Sequence, residues 1–198
     1  MRKLKNYLMT GASLLAVLTI FAFKPIDFDD IKGWFLAGDD PKSYQIGVVK
    51  DQERSGNVGY IKSVKESNGF GTVMQSFIPS DYLGKRVRLT GYIKSKDVKN
   101  WAGMWFRIDG EDKNALGFDN MQKRAIKGST GWKKYEIVLD APENSKAFAF
   151  GVLLAGTGEV WLDDLKFEVV DKSVPTTDIT LKNSSPNKPQ NSSFEDQN

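Results

Sequence analysis

Trp101-Ala-Gly-Met-Trp-Phe-Arg-Ile-Asp-Gly110 is the stretch of this chain that decides its fold. Successive side chains of a β-strand point to opposite faces of the sheet. As a strand, the stretch has an apolar face that consists of Met104, Phe106 and Ile108. Its other face consists of Trp105, Arg107 and Asp109. The first face suits a hydrophobic core, and the second suits a surface that holds a ligand.

Similar short runs of β-forming residues fill most of the chain and are separated by turn signals such as Ser67-Asn-Gly and Gly156-Thr-Gly. Many short strands at regular spacing predict an all-β sandwich or barrel. The predicted strands cover residues 44–50, 58–64, 71–78, 86–93, 104–108, 116–120, 135–139, 148–154 and 160–169.

Several of these segments resemble the galactose-binding-like jelly rolls of bacterial carbohydrate-binding modules. They are Gly33-Trp-Phe with Tyr44, Gly84-Lys-Arg-Val-Arg-Leu-Thr-Gly-Tyr-Ile, Gly131-Trp-Lys-Lys-Tyr-Glu-Ile-Val-Leu and Gly158-Glu-Val-Trp-Leu-Asp-Asp-Leu-Lys-Phe. The resemblance implies an all-β jelly-roll β-sandwich of two antiparallel sheets. Residues 101–109 with Phe118-Asp-Asn-Met121 also resemble a domain of exported bacterial proteins that is fused to helix-turn-helix regulators as well. The sequence itself contains no recognisable helix-turn-helix.

The ends of the chain differ from its middle, which predicts three parts. Residues 1–25 begin with Arg2, Lys3 and Lys5 and continue as an apolar run, which predicts a hydrophobic helix that is a signal peptide or an N-terminal membrane anchor. Residues 26–171 form the jelly-roll domain. Residues 172–198 are rich in Asn, Ser and Pro and predict a disordered tail. The domain is then exported, either secreted or anchored at the outer face of the membrane.

Composition excludes several chemistries. The chain has no cysteine and no histidine, so thiolate catalysis, disulfides and the commonest general base are absent. The net charge of +3 comes from the three basic residues at the N-terminus, because the remainder has 25 basic and 25 acidic residues. Such a balanced domain is not expected to bind nucleic acid.

The polar face at Trp105 is the candidate ligand site. An indole stacks on a sugar ring, while Arg107 and Asp109 bind hydroxyl groups. Asp119 follows on the next strand, where it reaches the same cleft or forms an Asx turn. The neighbouring strands are expected to add Gln75, Arg88 and Tyr92. The alternative is that Trp105 packs under a loop and that Arg107 and Asp109 form a structural ion pair.

A structural calcium ion is the cofactor that the resemblance implies. In the resembling modules an aspartate of the closing strand binds it, which corresponds to Asp164 here, and an early acidic residue assists. That early position holds Leu36 and Ala37 in this chain, so Asp39 or Asp40 is the expected substitute. Carboxylate oxygens are the ligands that calcium prefers.

Together these patterns predict an extracytoplasmic, non-catalytic module that binds a carbohydrate or similar small polar ligand on the concave sheet. An extracytoplasmic sensory or protein-interaction module with a cell-envelope partner is the alternative. Contact with the membrane is expected only through the N-terminal segment. A glycoside-active enzyme would need two carboxylates, such as Asp109 and Asp119, held about 5–9 Å apart. Whether the domain is an enzyme is left open, with binding favoured.

Overall fold

The computed structural model describes residues 26–27, 33–112 and 114–179. Within these residues the chain forms ten antiparallel β-strands joined by turns and short 3-10 segments. The strands are β1 (Ile26–Asp27), β2 (Phe35–Gly38), β3 (Tyr44–Asp51), β4 (Gly56–Ser63), β5 (Phe70–Phe77), β6 (Arg86–Asp109), β7 (Ala115–Asp119), β8 (Ile126–Asp140), β9 (Ala147–Ala155) and β10 (Glu159–Val170).

The strands form two layers because the long strand β6 takes part in both. Residues 86–96 of β6 pair with β10 and β8, and the first layer continues through β4 and β3 to β1. Residues 101–109 of β6 pair with β9 and β7, and the second layer continues through β5 to β2. Between these halves the pairing with β8 shifts register, and Asp97 has a φ of 52°. The fold is therefore the predicted jelly-roll sandwich.

The core lies between the layers and is built from the faces that the alternation predicted. Met104, Phe106 and Ile108 are fully buried there. Aromatic rings of both layers meet edge to face, with ring centroids 4.9 Å apart for Phe106 and Phe148 and 5.2 Å apart for Phe106 and Phe167. Edge-to-face packing of this kind adds to the stability that burial of the rings provides.

Residues 172–179 follow the side of the sandwich, although the sequence predicted a disordered tail from residue 172. The amide N–H of Thr177 donates to the carbonyl oxygen of Val138 on β8 at 2.8 Å, and that of Ile179 donates to Phe118 on β7 at 2.9 Å. Arg86 reaches the carbonyl oxygens of Lys172 and Val174. This segment, the C-terminal strap, thus pairs with the free edges of strands from both layers.

The described residues include no helix of the length and apolarity needed to cross a membrane. The predicted N-terminal hydrophobic helix and the rest of the predicted tail, residues 180–198, lie outside the described residues.

Candidate functional site

A cavity of about 560 Å³ opens on the face of the second layer that points away from the core. Its size lies within the range typical of small-molecule sites. Strands β2, β5, β6, β7 and β9 and their connecting loops contribute to its wall. The lining residues are Ala37, Gly38, Asp39, Asn68, Gly69, Phe70, Thr72, Met74, Asn100, Trp101, Trp105, Arg107, Phe118, Asn120, Leu153 and Ala155.

Trp105 forms the floor of this cavity. It packs with Leu153, Met74 and Phe118 in a cluster that is separate from the main core. Its indole crosses β9 to reach β5, where Nε1 donates a 2.7 Å hydrogen bond to Oγ1 of Thr72. Only 8% of Trp105 is exposed, so the ring supports the cavity and offers little open surface for stacking.

Glycine makes this crossing possible. Gly151 of β9 pairs with both Trp105 and Met74, so it lies directly between β6 and β5. A Cβ atom at Gly151 would lie 2.1 Å from the carbonyl oxygen of Val73, a distance that real contacts do not reach. Any larger residue would therefore disturb the sheet beneath the indole.

Three more accessible rings belong to Trp101, Phe70 and Phe118, each half-buried at the cavity wall. Trp101 lies on the same face of β6 as Trp105, separated from it by Gly103. A Cβ atom on Gly103 would come 2.8 Å from the carbonyl oxygen of Asn120, so the missing side chain allows the loop after β7 to approach. Of the two tryptophans that line this cavity, Trp101 therefore has the more exposed ring.

Arg107 and Asp109 form an ion pair at one end of the cavity. Nη2 of Arg107 donates a 3.1 Å hydrogen bond to Oδ2 of Asp109. Nε of Arg107 lies 2.8 Å from Oδ1, but this contact lacks hydrogen-bond geometry and leaves Oδ1 without a donor. The Arg107 side chain is 44% exposed and lines the cavity, whereas that of Asp109 is 11% exposed and lies beneath it.

The loop between β4 and β5 closes the other end and is held by two carboxylates. Oδ1 of Asp39 accepts the N–H of Phe70 at 2.5 Å. Oδ2 of Asp40 accepts the hydroxyl of Ser67 at 2.8 Å and also that of Ser43. These hydroxyl donors, Ser43 first, hold the pKa of Asp40 below its usual value. The cavity rim is therefore anchored by side chains on the loop that follows β2.

Tyr44 adds to this anchoring from the core side. Its hydroxyl oxygen lies 3.0 Å from the carbonyl oxygen of Gly69 and 2.9 Å from that of Gly156. Burial raises the pKa of the Tyr44 hydroxyl. A neutral hydroxyl group therefore joins two loops at the same end of the cavity.

Of the residues predicted for the site, Trp105 and Arg107 line the cavity, and Asp109 supports Arg107 from below. Asp119 does not reach the cavity, because it is paired with Phe106 and is 1% exposed. Its Oδ1 accepts the N–H of Met121 at 2.8 Å, which is an Asx turn, and its Oδ2 accepts from Arg124 at 2.7 Å. The turn alternative therefore describes Asp119.

Three other predicted site residues lie away from Trp105. Gln75 shares a face of β5 with the buried Val73 and packs against Gly33, so it lies opposite Met74, which lines the cavity. Arg88 and Tyr92 lie on the half of β6 that belongs to the first layer. Arg88 pairs there with Glu168 at 2.7 Å, and the ring of Tyr92 lies 4.1 Å from the guanidinium carbon of Arg54.

The two predicted calcium ligands are engaged separately. Asp39 binds the amide of Phe70 at the cavity rim, and Asp164 forms an ion pair with Arg54 in the first layer. The described residues contain no group of three or more acidic side chains placed to hold a metal ion. Asp39 and Asp164 therefore do not share a site, and a structural calcium ion stays a prediction.

Several lining residues were not recognised in the sequence. Trp101 follows from the same alternation that identified Trp105, so its position could have been predicted. Phe118, Asn100 and Asn68 could not, because their places depend on strand pairing and on loop paths between strands.

The chain matches no known protein-family model. It is 44% identical over 170 residues to the uncharacterized HTH-type transcriptional regulator YbfP of Bacillus subtilis (strain 168). The match covers 84% of this chain and 58% of YbfP, so the chain spans less than two thirds of that relative.

Solved structures share the fold at low sequence identity. The enzymatically active domain of bacteriophage CBA120 tailspike protein 4 superposes with a TM-score of 0.54 at 13% identity, covering 73% of this chain and 20% of that chain. An arabinose-bound α-L-arabinofuranosidase superposes with a TM-score of 0.53 at 11% identity, and the match covers 75% of this chain and 25% of that chain. A family 22 xylan-binding domain superposes with a TM-score of 0.50 at 9% identity, and the match covers 74% of this chain and 94% of that chain. The chain therefore shares the jelly-roll β-sandwich fold of these structures.

The likeness to YbfP corrects the predicted function. An extracytoplasmic binding module is wrong, because a relative that matches most of this chain is named a transcriptional regulator. The 3-10 turns of the described residues provide no helix-turn-helix. The N-terminal signal or anchor and the exported location depend on residues 1–25, which lie outside the described residues, and they stay predictions.

Proposed function

We propose that this jelly roll is the ligand-recognition domain of a protein related to HTH-type regulators, and that its ligand is a small saccharide. The observation that carries the proposal is the aromatic cavity on the second layer. Trp101, Phe70 and Phe118 present ring surface, which matches the C–H faces of sugar rings. Arg107, Asn100 and Asn120 supply polar groups at its edges, which match hydroxyl groups.

The comparisons support this proposal at two levels. The likeness to YbfP supports a role in regulation, where a ligand-binding domain would report the presence of a small molecule. The fold is shared with a domain named for xylan binding and with an arabinose-bound enzyme, which supports a saccharide as that molecule. For the present chain, both the ligand class and the regulatory role are part of the proposal.

Calorimetric titration of the full chain with a panel of mono- and oligosaccharides tests this function. We expect at least one neutral saccharide to bind, and we expect Trp101→Ala to weaken its affinity at least about tenfold because a stacking surface is lost. Trp161→Ala is the matched control, since Trp161 is half-buried in the first layer, with its ring centroid 5.5 Å from Nζ of Lys94. Equal affinities of both variants, or no binding across the panel, would contradict the proposal.

A further inference from the structure

The residues that line the cavity carry little net charge. Among the residues that line it, Asp39 and Arg107 carry the ionisable side chains. They lie at opposite ends, because Arg107 pairs with Ala149 of β9 whereas Phe70, which binds Asp39, pairs with Ala155. A ligand in the cavity therefore meets one cation at one end and one anion at the other.

The cation is neutralised by its partner beneath the cavity. The contacts of Arg107 with Asp109, 2.8 Å from Nε to Oδ1 and 3.1 Å from Nη2 to Oδ2, bring the carboxylate against the guanidinium group. The Asp109 side chain is 11% exposed and that of Arg107 is 44% exposed, so solvent reaches this pair mainly from the Arg107 side. Arg107 retains N–H groups for hydroxyl oxygens of a ligand, but its positive charge is already matched.

The anionic end has no such compensation within the lining. Among the described residues Asp39 takes part in no ion pair, whereas the neighbouring Asp40, which does not line the cavity, has Lys65 and Lys42 close enough to act on its charge. An adjoining hollow that shares Asn68 and Asn100 adds Glu66 and Lys99, one charge of each sign. Cavity and rim together therefore carry no excess of either charge.

We infer that the saccharide recognised by this cavity is uncharged, and that uronic acids and sugar phosphates are rejected. The inference rests on the proposed function and names the class of its ligand. An anionic sugar would give up its hydration in a cavity whose cation is already paired, while it faces the Asp39 carboxylate at the far end. A neutral sugar carries no charge to desolvate, and its hydroxyl groups can form hydrogen bonds with the lining amides and with the remaining N–H groups of Arg107.

Titration with matched sugars tests the inference. Each neutral sugar is compared with its own acid and phosphate, for example glucose with glucuronate and glucose 6-phosphate, in low-salt buffer with the full chain. We expect the neutral member to bind at least about tenfold more tightly than either charged member. Equal or tighter binding of a charged member overturns the inference but leaves saccharide recognition standing. If no member of any set binds, both the inference and the proposed function fail.

Asp109→Asn provides the second test. The amide oxygen can still accept from Nη2, but the negative charge is gone, so Arg107 becomes an unpaired cation. We expect the ratio of charged to neutral affinity to rise about tenfold in this variant. Glu168→Gln makes the same charge change beside Arg88 in the first layer and serves as control, with no change in the ratio expected. An unchanged ratio in Asp109→Asn, with an unchanged melting curve, overturns the inference.

Discussion

The indole of Trp105 is joined to the hydroxyl of Thr72 across an intervening strand, with 2.7 Å between Nε1 and Oγ1. Thr72 lies on β5 and Trp105 on β6, and β9 runs between them. Oγ1 of Thr72 in turn lies 3.0 Å from the carbonyl oxygen of Val152 on β9. Three neighbouring strands are therefore tied together at the floor of the cavity.

Replacing Thr72 with Val should destabilise the protein by about 1–3 kcal/mol, because the buried indole N–H then lacks an acceptor. Denaturant unfolding followed by tryptophan fluorescence measures this change. The double-mutant cycle with Trp105→Phe isolates the hydrogen bond. If the losses of unfolding free energy in the two single variants simply add in the double variant, the hydrogen bond between Trp105 and Thr72 is contradicted.

Gly151→Ala should destabilise the fold strongly, by about 2 kcal/mol or more, because the added Cβ would collide with the carbonyl oxygen of Val73. Gly131→Ala is the control. It lies on β8, and no atom lies within 4 Å of the position that its added Cβ would take, so its effect should stay within about 0.5 kcal/mol. Thermal melting compares the two variants, and similar melting temperatures would argue against the close approach at Gly151.

The C-terminal strap should loosen in acid. Hydrogen bonds from Arg86 hold the pKa of Asp140 below its usual value of 3.8, and Arg86 also reaches the strap carbonyl oxygens. A lowered carboxyl pKa contributes stability that is present at neutral pH and is lost as the pH falls below about 4 through that lowered pKa. The protection factors of the Thr177 and Ile179 amides, which correct for the intrinsic pH dependence of hydrogen exchange, should therefore fall at low pH more than those of amides in the core strands.

The variant Asp140→Asn checks the cause of that acid effect. Its strap amides should exchange faster already at neutral pH, and the acid-induced step should be smaller, because the titrating carboxylate is absent. If the acid-induced change in exchange of the strap amides is as large in Asp140→Asn as in the wild type, a group other than Asp140 causes it.

The hydrogen bonds at the cavity rim lead to a prediction about Ser67. Its hydroxyl donates to Asp40 at 2.8 Å and accepts the N–H of Gly69 at 3.0 Å. Ser67→Ala removes both bonds and should leave the fold intact, with a loss of about 1 kcal/mol, while saccharide affinity falls because the loop carrying Asn68 is less ordered. Ser129→Ala, at an exposed position of β8 where the hydroxyl accepts the N–H of Asp97, is the control. Equal saccharide affinity in the two variants would exclude a role for this loop.

The alternation of β6 predicted the core side of the second layer correctly, because one strand with an apolar and a polar face has one way to pack. The same reasoning failed for Gln75, since β5 carries polar and apolar residues on both faces and only its pairing decides which face is buried. Arg88 and Tyr92 were misplaced because the passage of β6 from one layer to the other, near Asp97, has no clear sequence signal.

The strap was missed for a different reason. Its composition is that of a disordered segment, and composition reports how much apolar surface a segment can bury. Residues 172–179 are instead held by two backbone hydrogen bonds to strand edges and by hydrogen bonds of polar side chains such as Thr177 and Asp178, none of which depends on apolar side chains. The alternative of an Asx turn at Asp119 was foreseen, but choosing it required the Met121 contact.

The most direct test of saccharide recognition is a two-dimensional NMR titration that follows the indole N–H signals of the tryptophans. On addition of a neutral saccharide, the signals of Trp101 and Trp105 should shift and saturate, whereas those of Trp132 and Trp161, which lie in the first layer, should stay unchanged. Saturating shifts at Trp132 or Trp161 with none at Trp101, or no shift with any saccharide tried, would contradict a ligand site in the cavity of the second layer.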